Sequence, residues 1–324
     1  MPRVQSIDSF DQLKILADSK RLMILRLLMS APATLTQLGE KLGKHPAWIQ
    51  HHIKALEKAG LIELGETRKV ERAVEKYYRA KGGALLFQQI ILPEENDRGT
   101  VILSGSHDLA VEFIAQNLAE HLNVLALPVG SLDGLTALRS GLCHLAGAHL
   151  FDAPSGEYNA PFVRHIFPDR ETILITLTHR EQGLIVVSGN PKEIKSISDL
   201  ARRNITFVNR NKGSGTRLWL DRDLEALGIS AKKIKGYDDE VRTHTESALR
   251  VRSGTADAAL GIRAAADGLD FIPLLQERYD LVIPRDQIKR LDPLLNFIQT
   301  KKFRAAIQAM RGYDTAHSGE KIAL

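Results

Sequence analysis

The chain has 324 residues, enough for two or three units each with its own core, and its 44% hydrophobic and 26% charged content is that of an ordinary soluble protein. A single cysteine, Cys143, excludes an internal disulfide framework, and no apolar run reaches the roughly 20 residues that cross a bilayer as a helix. The net charge of +5 is uneven: residues 1–92 hold 15 Lys+Arg against 9 Asp+Glu, leaving 29 against 30 for the remainder, so the positive excess lies where phosphates would be bound. The polar, partly acidic start lacks the layout of a signal peptide, and with the lone cysteine it fits a reducing cytoplasm.

In chain order, Phe10, Leu13, Leu16 and Ala17 recur at helical spacing, and Leu22, Ile24, Leu25, Leu27 and Leu28 continue into a buried stretch broken by Ala31-Pro32-Ala33. Thr34 precedes a short helix with Leu35, Leu38 and Leu42 on one face, and Gly43 ends it. Lys44-His45-Pro46 forms a turn, with Pro46 suited to the first turn of a second helix that places Ile49, Ile53 and Leu56 inward and stops at Gly60. Residues 61–80 alternate around a charged bend near Glu66–Arg72, the pattern of a two-stranded wing.

This is a helix-turn-helix arrangement, and the exposed early positions of its second helix, Trp48, Gln50, His51 and Lys54, are the candidates for base contact. Lys44, His45, Arg68, Lys69 and Arg72 are the candidates for backbone phosphates, each with an ordinary solvated side chain as its alternative, while packing is the stronger reading for Trp48. The runs LKILADSKRLMILRLLM and LTQLGEKLGKHPAWIQHHIKALEKAGLIE, with the wing, resemble ArsR-like winged-helix repressors over residues 10–79. The resemblance implies a homodimer on a palindromic operator of double-stranded DNA. Metal-sensing members carry cysteines on the helix before the reader; LTQLGEKLG has none, so no metal site is expected in the head.

Residues 81–99 read as a joining segment, its apolar patch from Leu85 to Leu92 open between a dimerisation face and a dock onto the body of the protein. From Thr100 strands and helices alternate, which implies parallel or mixed sheets covered by helices. Residues 171–187 are expected to supply several strands, 196–204 a capped helix, and 300–324, with 301–314 as a basic helix, to cover a lobe. Three strand-to-helix junctions hold small hydroxyls and glycines: Ser104-Gly105-Ser106, Gly130-Ser131 and Gly213-Ser214-Gly215-Thr216-Arg217. A helix N-terminus presents unpaired N–H groups and the positive end of its dipole, which suits an anion, although single Ser/Gly turns also serve as ordinary caps. The spacing of GSGTR is not that of a phosphate-binding loop of nucleotide hydrolases, and no nucleophile–base pair or catalytic carboxylate pair stands out.

GSHDLA, LPVGSLDGLTALRSGLCHLAGAHLFD, ITFVNRNKGSGTRLWLD and the segments to residue 290 resemble the periplasmic-binding-protein-like domain of molybdate-binding proteins and of cytoplasmic regulators. That implies a type II two-lobed α/β fold with hinges near 180–190 and 275–283, molybdate or tungstate as effector, and Ser104, Ser106, Ser131, Ser214, Gly215 and Thr216 as its donors. Arg217 beside the loop is either a first-turn surface residue or a fork for a carboxylate or phosphate, which keeps a small organic acid open. His107, His144, His149 and His244 are expected to be hydrogen-bonded structural residues rather than metal ligands, and Asp152, Tyr237, Thr243 and Glu246 are candidates for a second wall.

The sequence thus predicts a multidomain chain: a winged helix-turn-helix at 1–80, a linker or dimer segment at 81–99 and a two-lobed sensor at 100–324. The function expected is a dimeric, cytoplasmic, ligand-responsive transcriptional regulator that is not an enzyme and needs no cofactor. A molybdate-handling protein of molybdenum cofactor metabolism is the alternative.

Overall fold

The computed structural model describes residues 4–7, 9–70, 73–87, 91–92 and 99–324. They fall into two units, Met1–Ile91 and Leu92–Leu324.

In the first unit, β1 (Val4–Ile7) leads into α1 (Phe10–Leu16), α2 (Ser19–Ser30), α3 (Leu35–Leu42) and α4 (Pro46–Lys58). The wing is β2 (Ile62–Val70) paired antiparallel with β3 (Ala73–Ala80), and β4 (Ala84–Phe87) comes after it. The expected continuous helical stretch is interrupted: Asp18 caps α2 by accepting from the Lys20 and Arg21 amides, so α1 ends first. Thr34 and Gln37 form a reciprocal capping box on α3, and Gly43 closes it at φ +60. Pro46 sits in the first turn of α4, where its missing N–H costs nothing. These helices bury Ile24, Leu25, Leu28, Leu38, Ile49, Ile53 and Leu56 together with Leu61 of the chain entering the wing. The expected joining segment is partly structured: β4 pairs in parallel with β1, Gln5 opposite Leu85 and Ile7 opposite Phe87.

The second unit begins with β5 (Thr100–Gly105), α5 (Leu109–Leu118), β6 (Asn123–Pro128), α6 (Ser131–Arg139) and β7 (Leu145–Ala148). The short β8 (Phe151–Asp152) and β9 (Glu157–Tyr158), α7 (Ala160–Ile166) and the long β10 (Thr172–Val186) come next. The chain continues through β11 (Phe207–Arg210), α8 (Gly215–Ala226), β12 (Glu240–Val241), α9 (His244–Arg252), β13 (Ala258–Ile262) and β14 (Asp270–Pro284). It closes with α10 (Asp292–Phe297), α11 (Lys301–Gln308), β15 (Tyr313–Asp314) and β16 (Lys321–Ala323).

Ten strands make one sheet in the order β12-β11-β13-β10-β14-β7-β5-β6, with β15 and β16 both paired to β10. β10 and β14 run antiparallel for 15 residues each, so residues 171–187 supply one strand rather than several. One end of this ribbon joins β7 through Asp280–Val282, and the other joins β13 through Gln182–Val186. It therefore carries the chain from one lobe to the other, with register shifts between Thr176 and Thr178 and between Gln182 and Gly183. One lobe packs Val101, Ile114, Leu145, Leu281 and Phe303; the other packs Leu184, Phe207, Leu220 and Leu260. Residues Ile197–Ala201 form a 3₁₀ turn with a Ser196–Asp199 capping box in place of the expected α-helix.

Candidate functional site

The three strand-to-helix junctions face one another across the two lobes. The Leu132 amide of α6 donates to the Gly213 carbonyl at 3.0 Å, and Asn211 Nδ2 donates to the Val129 carbonyl at 2.8 Å. Gly130, at φ +106, stands where a Cβ would lie 3.0 Å from the Ser214 amide nitrogen. His149 ties the junctions together: its amide donates to Ser131 Oγ at 3.2 Å, and Nε2 lies 2.8 Å from Ser106 Oγ. A Cβ on Gly215 would meet the His149 ring and carbonyl at 2.7 Å, so only glycine admits this approach of α8 to the opposite lobe.

Charged side chains from the inter-lobe ribbon and β11 lie at the centre. Arg180 of β10 is fully buried and paired with Asp108 and with Glu277 of β14. Burial lowers its pKa, but Glu277 and Asp108 outweigh that and hold it above the usual guanidinium value. Glu277 also lies 2.9 Å from His149 Nδ1. Arg210, at the carboxyl end of β11, is equally buried but meets no carboxylate among the described residues: Nη1 lies 2.7 Å from His244 Nδ1, and Nη2 donates to the Arg242 carbonyl at 2.7 Å. Burial, and then the charge of Arg180, push its pKa down to about 9, which leaves it charged at neutral pH. His244 is pushed well below the usual imidazole value by burial and then by Arg210 and Arg180, so its ring accepts rather than repels.

Besides Arg180 Nη2, which is ion-paired with Glu277, two buried donors at this centre, Arg210 Nε and Gln182 Nε2, have no hydrogen-bond partner among the described residues. Gln182 Oε1 is engaged by Thr216 Oγ1 at 2.7 Å, in the first turn of α8. Buried donors without acceptors are costly, and here they stand beside a helix N-terminus whose first amides have no intrahelical acceptor. The arrangement can accept a compact anion.

The sequence candidates separate on this geometry. Ser106, Ser131, Gly215 and Thr216 meet around His149 and Gln182. Ser214 is buried and caps α8 through the Arg217 amide at 3.2 Å, and Ser104 Oγ is buried without a partner among the described residues. Arg217 does not supply a fork: its guanidinium is held by Asp221 at 2.9 Å and Glu240 at 3.1 Å and stacks on Tyr237 at 4.1 Å. Carboxylates within reach of its first-turn position satisfy it locally. Among the second-wall candidates, Asp152 closes a turn with Ser155, Tyr237 donates to Asp221, and Glu246 and Thr243 cap α9. His144 accepts from the Ile102 amide at 2.9 Å, away from the junctions. His107 joins them, its Nδ1 accepting from the His244 amide at 3.3 Å and its Nε2 lying 2.6 Å from Glu112. Among the described residues no group of three or more His, Cys, Asp or Glu has a geometry that would hold a metal ion.

The sequence reading missed Arg180, Gln182, Arg210 and Glu277. The signal available was the HREQ run inside an otherwise apolar strand, and a strand-terminal arginine in FVNRN.

In the first unit, Lys44, His45, Gln50, His51, Lys54, Arg68 and Lys69 are exposed. His45 also caps α4, its Nδ1 accepting from the Ala47 amide at 3.3 Å. Trp48 is half-buried against the core, with its ring 4.2 Å from that of His52 and the Lys20 and Lys44 ammonium groups over it at 5.8 and 5.9 Å. Arg68 pairs with Glu66 and stacks on Tyr77 at 4.7 Å. Arg72 lies outside the described residues.

A helix-turn-helix with a wing, and two α/β lobes joined by a strand ribbon with buried arginines between them, define a regulator-type head and a binding-protein-type body. The chain belongs to the PBP superfamily, whose domain model matches residues 113–299, and its head matches the bacterial regulatory protein, arsR family, over residues 18–63. Neither is an enzyme family. The chain is 35% identical over 239 residues to the uncharacterized protein YvgK of Bacillus subtilis, covering 72% of this chain and 77% of the relative. It is 33% identical over 108 residues to an uncharacterized protein of Clostridium pasteurianum encoded 5′ of a 2Fe-2S ferredoxin gene, covering 32% of this chain and 96% of that one. A solved structure described as the tungstate ABC transporter of Geobacter sulfurreducens superposes with a TM-score of 0.46 at 11% identity, covering 64% of this chain and 97% of that one.

Proposed function

We propose that this chain is a transcriptional regulator whose affinity for operator DNA is set by a small oxyanion captured between the two lobes of its body. Arg210 carries the reading. Closing the lobes takes this guanidinium out of water without giving it a carboxylate, which costs several kcal/mol, and an anion arriving with the closure supplies the missing charge. The anion then binds the closed form more tightly than the open one, and that difference is the free energy available to bias the head. The donors it would meet are Arg210 Nε, Gln182 Nε2, the first-turn amides at Gly215 and Thr216, and the hydroxyl of Ser131, while the Ser106 hydroxyl donates to the His149 ring and holds it in place.

The resemblance makes molybdate and tungstate the first anions to test; phosphate, sulfate and small carboxylates share the chemistry. The head is proposed to work as a homodimer on a palindromic site in the cytoplasm, with Gln50, His51 and Lys54 at base edges and Lys44, His45, Arg68 and Lys69 on phosphates. The test is selection of bound duplexes from a random-sequence pool, with titration of the winner in the presence and absence of each anion. At least one anion is expected to change DNA affinity by tenfold or more. A chain that selects no sequence, or whose affinity no anion alters, is not the sensor described here.

A further inference from the structure

A cavity of about 160 Å³ lies beside the junctions. Its walls come from both lobes: Phe151, Tyr158 and Phe162 on one side, Leu218 and Trp219 of α8 on the other, with Leu275 of β14 between them. Its inner end is formed by His149 and Gly215, the same two residues that close the junctions around the anion centre, and by Glu277, whose carboxylate is already engaged by Arg180 and His149. Phe151 and Tyr158 are in ring contact at 5.1 Å, and Arg222 of α8 reaches across to place its guanidinium 5.2 Å from the Phe151 ring. Phe151 and Leu218 remain 37% and 40% exposed at the rim.

We infer that the effector is an organic oxyanion bearing a planar aromatic or heteroaromatic ring, its acid group held at Arg210 and the amino end of α8 and its ring seated in this cavity. The inference rests on the anion-site reading above and narrows it. A cavity of about 150 Å³ lined by apolar side chains is the size that accepts a single benzene-like ring. Aromatic walls favour a flat, polarisable guest through edge and face contacts. Because the walls divide between the lobes, a ring held there adds to the preference for the closed form that the acid group creates at Arg210. A bare tetrahedral anion would leave the aromatic surface without a guest.

The two tryptophans of the chain, Trp48 and Trp219, allow a direct test. The full chain carrying Trp48→Phe leaves Trp219 as the sole emitter, and is titrated with phenyl phosphate, benzoate, inorganic phosphate, acetate and molybdate. A ring-bearing probe is expected to bind at least about tenfold more tightly than its ring-free counterpart and to change Trp219 emission, as burial of one ring implies. Phe151→Ala, and independently Leu218→Ala at the rim, should reduce that preference below about threefold while the ring-free affinity stays within twofold. Ring-bearing and ring-free probes of equal affinity, or a preference untouched by both variants, would overturn the inference and leave the anion site standing. Absence of binding by every probe would remove the anion site itself, and the ring subsite with it.

Discussion

Arg210 Nη1 rests 2.7 Å from the Nδ1 of His244, so this fully buried guanidinium of the second lobe is met by a neutral ring and a backbone carbonyl rather than by a negative charge. Arg180, also fully buried, has Asp108 and Glu277. One is neutralised within the chain, and under the proposed function the other awaits the anion.

Removing the unneutralised charge is therefore expected to cost little in the absence of ligand. Arg210→Gln should leave unfolding free energy within about 1 kcal/mol of the parent, or raise it, because the desolvation penalty disappears with the charge. Urea denaturation of both proteins measures this. A loss of more than about 3 kcal/mol would mean that Arg210 is already balanced by its surroundings.

Acid should loosen the body. Burial lowers the pKa of His149 against the pull of Glu277, and lowers that of His244 further with the help of Arg210 and Arg180. Both folded values lie below 6.5, so as the pH falls through about 6.5 the unfolded chain takes up protons that the folded one refuses. Stability is then full above that pH and declines below it, by at most about 1.4 kcal/mol per unit for each histidine. His244→Gln should make the decline shallower; an equally steep acid limb in that variant would count against the assignment.

Closure itself depends on Gly215. In Gly215→Ala the new methyl would meet the His149 carbonyl and ring at 2.7 Å, so the lobes should stand apart and anion affinity should fall by about a hundredfold or more. Small-angle scattering should show a larger radius of gyration for the variant in the presence of saturating ligand. A variant that scatters and binds like the parent would show that α8 yields without opening the cleft.

On the head, Arg68→Ala with Lys69→Ala should weaken all DNA binding and reduce the slope of log affinity against log salt by about one for each phosphate left unneutralised. Gln50→Ala should instead cost about 1–3 kcal/mol on the preferred site only, relaxing selection at one base pair. Binding isotherms on specific and scrambled duplexes at several salt concentrations separate the two patterns, and identical behaviour of both variants would contradict the division of roles.

Much of the fold was readable because its signals are local. The Thr34–Gln37 box, Gly43 and Pro46 mark the turn of the head, and the strand-hydroxyl-helix rhythm marks β5–α5, β6–α6 and β11–α8. The strands β1, β4, β15 and β16 are two to four residues long and exist through their pairing partners, which no local pattern reveals. The sequence of β10 suggests separate pieces because His179, Arg180, Glu181 and Gln182 interrupt its apolar run. The same interruption concealed the heart of the site. A charged residue in a strand is ordinarily solvated, so spacing alone does not separate buried Arg180 and Arg210 from surface arginines. Helix amino ends are legible in the sequence from their hydroxyls and glycines, but the pairing of Arg217 with Asp221, one turn on, is not singled out by that pattern.

The central claim is that Arg210 receives the anion. Calorimetric titration of the full chain and of its Arg210→Gln variant with molybdate, tungstate, phosphate, sulfate and benzoate tests it most directly. Saturable 1:1 binding of at least one of these to the parent is expected, weakened by about a hundredfold or more in the variant. Equal affinity in the two proteins would contradict it.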